Sequence, residues 1–417
     1  MNLTQKRNLS KILYYRYFDL LQSSTYLGDS PMIIFSKQMM KIILPFIKSG
    51  ELFNLSDAEL KKKGIPLVLI LDKNELETKG NIAYIEEYKS NIPNWLHEFI
   101  SPQYFNLKKL QEYIVSNSIT CKNDMKALLN QRSHLSEFEK DLYHVLTYMD
   151  ETNFPVFFIN KFDSYTELRN SIYDIPLRGT FHNHSLFSDG VLSIKEISNL
   201  ANFHKYEYIG LSDHSYSTLL GIDSKGLSIQ HKEIDKHNCL NSSVKLLKSI
   251  ECEILKDGSL DLSKDDLQKF DYTIIGIHSH FNMSKKSIHR RLIRAIENEY
   301  SDILAHPTCR LFGSKPGFRL DMNYIIDACV KNNVIIEING NWKRLDLDPK
   351  HIKYAVNKGA MFELAADVHF EKDFFRINNA ITISEALVVP KERIINLLTH
   401  DEVVSFFERQ HKIKRRL

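Results

Sequence analysis

The stretch RGTFHNHSLFSDG (residues 178–190) sets two histidines, His182 and His184, one residue apart at the end of a short apolar run, with Asp189 in the loop beyond. In an extended strand residues i and i+2 point to one face, so an H-x-H pair aims two imidazoles into a single cavity. The pattern recurs downstream. Short apolar runs, EYIGLSDH, VKLLKSIECE, YTIIGIHSH, DILAHP, VIIEING and MFELAADVH, alternate with helix-patterned segments such as SIKEISNLANFHK, SKKSIHRRLIRAIENEY, MNYIIDACVKNN and DPKHIKYAVNKG. Alternation of this length predicts an α/β fold with a parallel sheet. Seven such units, with no dinucleotide glycine signature after the first strand, predict a barrel over an open doubly wound sheet.

Almost every run ends in an ionisable residue. The first gives His182, His184 and Asp189, the second His214, the third Glu251, the fourth His278 (with His280), the fifth His306, and the seventh Asp367 and His369. Of 17 histidines, twelve lie between His182 and His369, and most of those follow an apolar run. In a parallel barrel these ends open on one face, so nine imidazoles and carboxylates converge there. Burying that many ionisable groups without a cation is costly. Imidazole and carboxylate are ligands of zinc, manganese and iron, which take about four to six donors each. Nine groups therefore predict two or three divalent ions (Mn2+, Zn2+ or Fe2+), some bridged by a shared carboxylate. Such a cluster supplies a metal-bound hydroxide and clamps phosphoryl oxygens, which suits phosphate ester hydrolysis. Amide hydrolysis on a binuclear site is the rival, weakened because no strand-end lysine is evident as a carbamylated bridge.

The rest of the chain reads differently. LSKILYYRYFDLL, SKQMMKIILPFIKSG, LKKLQEYIVSN and SEFEKDLYHVLTYM space apolar residues at three and four, which predicts a helical domain over residues 1–150. Residues 151–177 read as a connecting segment, 178–400 as the barrel, and 401–417 as a C-terminal helix whose basic end, RQHKIKRRL, reads as a solvated tail. The composition, 43% hydrophobic and 26% charged with a net charge of +3, is that of an ordinary globular protein and does not by itself argue for nucleic acid. No run approaches the roughly 18 apolar residues of a membrane helix, and the polar start predicts no secretory signal. Five cysteines with no C-x-x-C pair predict reduced thiols in a cytoplasmic protein.

The motifs FHNHSLFSDG, YIGLSDHS, IECEILKDGSLDL, IIGIHSHF, ILAHPTCR, IEING…RLDLD and AADVH resemble those of the PHP (polymerase and histidinol phosphatase) domain, nearest to the PHP domain at the carboxyl end of bacterial family X DNA polymerases. The resemblance covers residues 178–400. It implies a distorted seven-stranded β/α barrel that holds three divalent ions and hydrolyses phosphoesters. By the same resemblance His182, His184, Glu251 and Asp367 would hold the first ion. Glu251 would bridge to a second held by His278 and His306, and Asp189, His214 and His369 would hold the third. Arg310 matches a family arginine and would grip phosphate, bidentate. His280 would be a second-sphere or substrate contact, and Glu337 and Asn339, ending the sixth run, would support the ligands.

Residues 1–130 resemble the helix-hairpin-helix start of the same polymerases, which binds DNA backbone through hairpin amides and a helix N-terminus. The match is eroded: the usual G-I-G reads Gly64-Ile65-Pro66, and the second hairpin, near Ser101–Leu110, has no glycine. The polymerase palm, with its paired aspartates, has no counterpart in residues 131–177, so no polymerase activity is expected. Three functions follow: a phosphodiesterase or phosphatase trimming DNA 3′ ends, a small-molecule phosphatase of the histidinol-phosphatase type, or a non-catalytic DNA-end-binding accessory protein. DNA is the expected partner, and no membrane is.

Overall fold

The computed structural model describes residues 3–49, 51–93, 96, 107–132, 134–136, 138–139, 142–143, 146, 176–218, 220–240, 243–311, 317–341 and 344–415. The chain divides into two compact units, residues 1–152 with 311–316 and residues 153–310 with 317–417. Much of the fourth expected helix, most of the 151–177 connection and the glycine-free start of the second hairpin (101–106) lie outside the described residues.

Between residues 3 and 146 the elements described in the first unit are all helices, joined by turns. Its longest helices, Leu3–Leu27 and Ser30–Ser49, meet at Gly28, whose φ of +74° is the left-handed turn that glycine adopts without a Cβ clash. Polar side chains tie helices distant in sequence. The Tyr17 hydroxyl donates to Asp72 Oδ2, and the Tyr84 hydroxyl donates to the same oxygen at 3.0 Å. The hairpin segment forms helices Asp57–Lys62 and Leu67–Lys79 around Lys63–Pro66. A capping box fixes the first: the Ser56 amide donates to Glu59 Oε2 at 2.8 Å, and the Glu59 amide donates to Ser56 Oγ at 3.4 Å.

The second unit is the predicted barrel. Strands β1 (Gly179–Thr180), β2 (Tyr208–Leu211), β3 (Lys245–Glu253), β4 (Tyr272–Gly276), β5 (Ile303–Leu304), β6 (Ile335–Asn339) and β7 (Phe362–Ala365) pair in parallel and in sequence order. The ring is drawn together beyond the last strand. Asn183 pairs with Val368, the His184 amide donates to Val368 O at 2.8 Å, and the Val368 amide donates to His182 O at 3.2 Å. Strands covered on both faces need apolar side chains both ways, which is why these runs read as continuous rather than alternating. Helices fall where the periodicity places them, among them Ile194–Phe203, Lys285–Ile296, Met322–Lys331 and Pro349–Asn357.

The amino-terminal end of the barrel is filled by Phe181, Tyr208, Leu247, Tyr272, Ile303 and Ile335, with Val403 and Phe407 from the C-terminal helix His400–Arg415. The rings of Tyr272 and Phe407 stack at 5.0 Å. This corrects the expectation of a solvated basic tail. His411 Nε2 lies 3.2 Å from Asp302 Oδ2, Lys414 donates to Ser301 O at 2.6 Å, and Arg415 lies 4.1 Å over the Tyr300 ring. The spacing of Val403 and Phe407 docks the helix, and its basic residues then find partners at the barrel's base. Among the described residues no helix is long and apolar enough to cross a membrane.

Candidate metal centre

All nine expected ligands meet at the carboxyl ends of the strands. His182 Nε2 and His184 Nε2 lie 3.3 and 3.1 Å from Asp367 Oδ1, and 3.4 and 3.5 Å from Glu251 Oε2. The H-x-H pair therefore points one way, as its spacing requires. The other Glu251 oxygen, Oε1, lies 3.1 Å from both His278 Nε2 and His306 Nε2. Asp189 Oδ2 lies 3.0 Å from His369 Nε2 and 3.5 Å from His214 Nε2, while His214 Nδ1 comes within 2.9 Å of Glu251 Oε2. The donor atoms fall into four overlapping groups joined through His182, His184, His214 and Glu251, each shared by two: His182, His184 and Asp367; Glu251 with His182 and His306; Glu251 with His214 and His278; and Asp189, His184, His214 and His369.

The chemistry of these atoms fits divalent ions. Nε2 of His182, His184 and His278, Oε2 of Glu251 and Oδ1 of Asp367 are buried and make no hydrogen bond, though each faces another donor atom a few ångströms away. Ligand atoms converging on a shared space without hydrogen bonds are what a cation satisfies. The backbone is cut to the same purpose. A Cβ on Gly276 would stand 2.7 Å from His278 Cε1 and 2.8 Å from Glu251 Oε1. Two ligands hold left-handed backbone, His306 at φ +26° and Asp367 at φ +53°, strain of the kind that persists where surroundings over-determine a functional residue.

Charge balance within the cluster is internal. Burial works to raise Glu251, but His278, His214 and His182 hold it well below the usual carboxylate range. Burial, with His369 and His214 adding to it, lowers His184 to about 4. His369 goes the other way: Asp189 and Asp367 overcome burial and raise it to about 9.

Behind the ligands sits a layer of carboxylates that fixes their rings. Glu337 Oε2 lies 2.5 Å from His182 Nδ1, and its Oε1 accepts from the His306 amide at 3.0 Å and from Asn339 Nδ2 at 2.8 Å. Glu253 Oε2 lies 2.9 Å from His278 Nδ1, and its Oε1 accepts from Ser279 Oγ and from the buried Arg291 at 3.2 Å. Asp213 accepts from the Ser185 and Ser188 amides at 2.8 and 2.9 Å, which pins the loop between His184 and Asp189. Such partners set the tautomer that leaves Nε2 for a metal. Glu253→Gln is expected to weaken metal binding about 10–100-fold with the fold intact, as read by competition against a chromogenic chelator; unchanged affinity would count against this role.

Sequence reading missed Glu253, Asp213, Arg291 and Arg344. The signal for Glu253 was present: ECE sets it two residues from Glu251 on one strand. For Asp213 it was the residue directly before His214 in SDHS.

The two remaining expectations land differently. Arg310 is buried, and its guanidinium donates to Arg344 O at 3.0 Å, to Leu345 O and to Asp348. It braces the loop after β6, and the guanidinium beside the cluster belongs to Arg344, whose Nε lies 3.0 Å from Asp367 Oδ2 with about a fifth of the side chain (19%) exposed. His280 lies exposed at the rim with φ +52°.

No protein-family model matches the chain. It is 28% identical over 347 residues to the DNA polymerase/3′-5′ exonuclease PolX of Bacillus subtilis, an alignment covering 80% of this chain and 59% of that protein. A "Probable phosphatase" of Caldanaerobacter subterraneus is 27% identical over 182 residues, covering 40% of this chain and 68% of the relative. Among solved structures, histidinol phosphate phosphatase from Lactococcus lactis, complexed with zinc, L-histidinol and phosphate, aligns over 50% of this chain and 93% of its own at 16% identity and a TM-score of 0.38.

Proposed function

We infer, from the premise that this chain belongs to the PHP domain family, that it is a metal-dependent phosphoesterase acting on DNA 3′ ends. The observation that carries the hydrolytic part is the shared-carboxylate cluster, in which Glu251 belongs to two donor groups and lies within 3.5 Å of a histidine of each of the other two. His182, His184, Asp367 and Glu251 would hold one ion, Glu251, His278 and His306 a second, and Asp189, His214 and His369 a third. Bound there, divalent ions would supply Lewis acidity and lower the pKa of water. The chain's own groups do the rest. Arg344, anchored through Nε to Asp367, presents its remaining donors to a phosphoryl oxygen, and Arg310 holds the loop that aims it. The exposed His280 would be a second-sphere or substrate contact.

The DNA part rests on the reach of the likeness. Residues 178–417 make up 240 of the 417, so an alignment over 80% of the chain must extend into the helical unit. The phosphatase relative covers only 40%. The hairpin keeps the physical means of phosphate contact. Lys61, Lys62 and Lys63 are exposed, Gly64 holds φ +75° with no atom within 4 Å of a Cβ position, and the helix Leu67–Lys79 has no side-chain N-cap. Its first amides are thus open to an anion, although Pro66 supplies none. The second reading, a small-molecule phosphomonoesterase, is favoured by relatives named as phosphatases that match this chain over about 40% or less.

The test is hydrolysis by manganese-loaded protein of end-labelled DNA with a recessed 3′ end, beside a generic phosphomonoester, with Asp367→Asn as control. Stepwise 3′ shortening that falls at least about 100-fold in the variant is the expected result. Turnover of the monoester alone would move the chain to the second reading.

A further inference from the structure

We propose that Tyr216, Phe281 and Phe370 form a stacking platform for nucleobases at the mouth of the metal centre, so that the substrate taken is an unpaired strand end. This rests on the DNA reading above and names the form of DNA that the site accepts. The three rings are 52%, 38% and 39% exposed, and they follow the ligands His214, His278 and His369 by two, three and one residues. Those ligand rings sit close together, His214 lying 4.6 Å from His278 and 6.2 Å from His369 between centroids. The three loops therefore leave the barrel from adjacent points on its rim, and each carries an exposed aromatic side chain.

Exposed aromatics are costly to keep wetted, and other exposed rings in the described part of this unit, away from the ligand loops, lie against histidines. Phe203 and Phe375 lie against His204 at 5.3 Å each, and Tyr324 lies 6.3 Å from His289. The rim rings stand on held backbone. The Phe281 ring stacks on Phe318 at 6.0 Å and 28°, and its chain is turned by the left-handed His280. The Tyr216 loop is closed by the Ser215–Ile222 pairing, and the Ser217 amide donates to Asp261 Oδ2 at 3.3 Å. The Phe370 amide donates to Asp373 Oδ2 at 2.9 Å. Aromatic faces held in place beside a phosphate-handling centre suit bases, because every base offers a π-face and stacking is indifferent to sequence. Paired bases inside a duplex have their faces already covered. Lys285 and Lys286, exposed at the start of the helix four residues after Phe281, add positive charge near that ring in sequence for the backbone.

The experiment compares kcat/KM, in manganese, for a single-stranded oligonucleotide with normal 3′ bases and for the same strand ending in abasic residues. Wild type is expected to favour the base-bearing end about tenfold or more, in line with the worth of one stacked base. In Tyr216→Ala, Phe281→Ala and Phe370→Ala, singly and together, that ratio should collapse toward one while metal content stays at the wild-type level. Leucine variants keep the apolar bulk without the ring face and should collapse it too, even if an alanine variant folds poorly. A wild-type ratio of one, or a ratio that survives in the folded leucine variants, would overturn the platform and leave the DNA reading standing. Turnover of a phosphomonoester with no cleavage of either oligonucleotide would overturn both.

Discussion

Glu251→Gln is expected to lower the rate of phosphoester hydrolysis by about 10³-fold or more and to remove at least one bound ion per chain. Glu251 is fully buried and lies within 3.5 Å of five of the six ligand histidines, missing only His369. Its two oxygens serve different groups, Oε1 facing His278 and His306 and Oε2 facing His182, His184 and His214. Glutamine keeps the volume but turns one of those oxygens into an N–H donor. Whichever way the amide is flipped, one side of the bridge then presents hydrogens to a cation. Asp367 belongs to one donor group, with His182 and His184, where Glu251 belongs to two, so Asp367→Asn should cost less metal than Glu251→Gln does, although it also removes the anchor of Arg344. Metal per chain by elemental analysis after gel filtration, beside steady-state rates, reads both. A Glu251→Gln protein with its full complement of metal and undiminished turnover would remove the bridge from the mechanism.

The barrel was legible because its constraint is local. A strand buried on both faces must be apolar throughout, and a ligand at its end must be His, Asp or Glu, so seven runs, six of them ending in such a residue, announce both the sheet and its open face. Even there the runs exceed the strands. β1 and β5 are each two residues long, because the chain leaves the ladder early to turn His182 and His306 inward. What the sequence hid were partners set by distant segments. Arg310 follows His306 closely in sequence and so suggested a phosphate grip. Its guanidinium is instead used by carbonyl groups 34 and 35 residues away, and the arginine at the cluster arrives from the loop after β6. The basic end misled for a related reason. Counting Lys and Arg there predicts solvation, while the two positions that decide docking, Val403 and Phe407, precede it. The helical half is less legible as function, since Lys61–Gly64 is a good turn whether or not a phosphate ever sits on it.

Metal removal should expose how the cluster balances its own charge, as a pH-dependent loss of stability confined to the chelated protein. With ions chelated, the cations within reach of Glu251, Asp189 and Asp367 are imidazolium groups and Arg344. His182, His214 and His278 are raised above the usual value, His182 and His214 well above it, and His369 is raised to about 9; in each case burial opposes the shift and neighbouring carboxylates outweigh it. Raised histidines contribute stability that is complete below their unfolded pKa of about 6.5 and is lost as pH climbs through the folded values. Burial opposes the lowering of Glu251, Asp189 and Asp367, but histidines outweigh it, so these three contribute stability that is present above about 4 and lost as pH falls below it. His184, lowered to about 4 by burial first, is held neutral, and its contribution fades as pH falls from about 6.5 toward that value. Chelated protein should therefore be most stable near neutral pH and lose ground toward pH 9 and above, where His369 sheds its proton and buried carboxylates stand uncompensated. An unpaired buried charge costs about 3–5 kcal/mol, which for a unit this size is roughly 10 °C in Tm. Manganese-loaded protein keeps its counter-charge when the imidazoles deprotonate, and metal competes better as protons leave. The difference in Tm between loaded and chelated protein, followed by scanning calorimetry from pH 7 to 9.5, should widen by about that amount. Parallel curves over the range would mean that the histidines are not the cluster's internal cations, and the charge balance described for Glu251 would have to be abandoned.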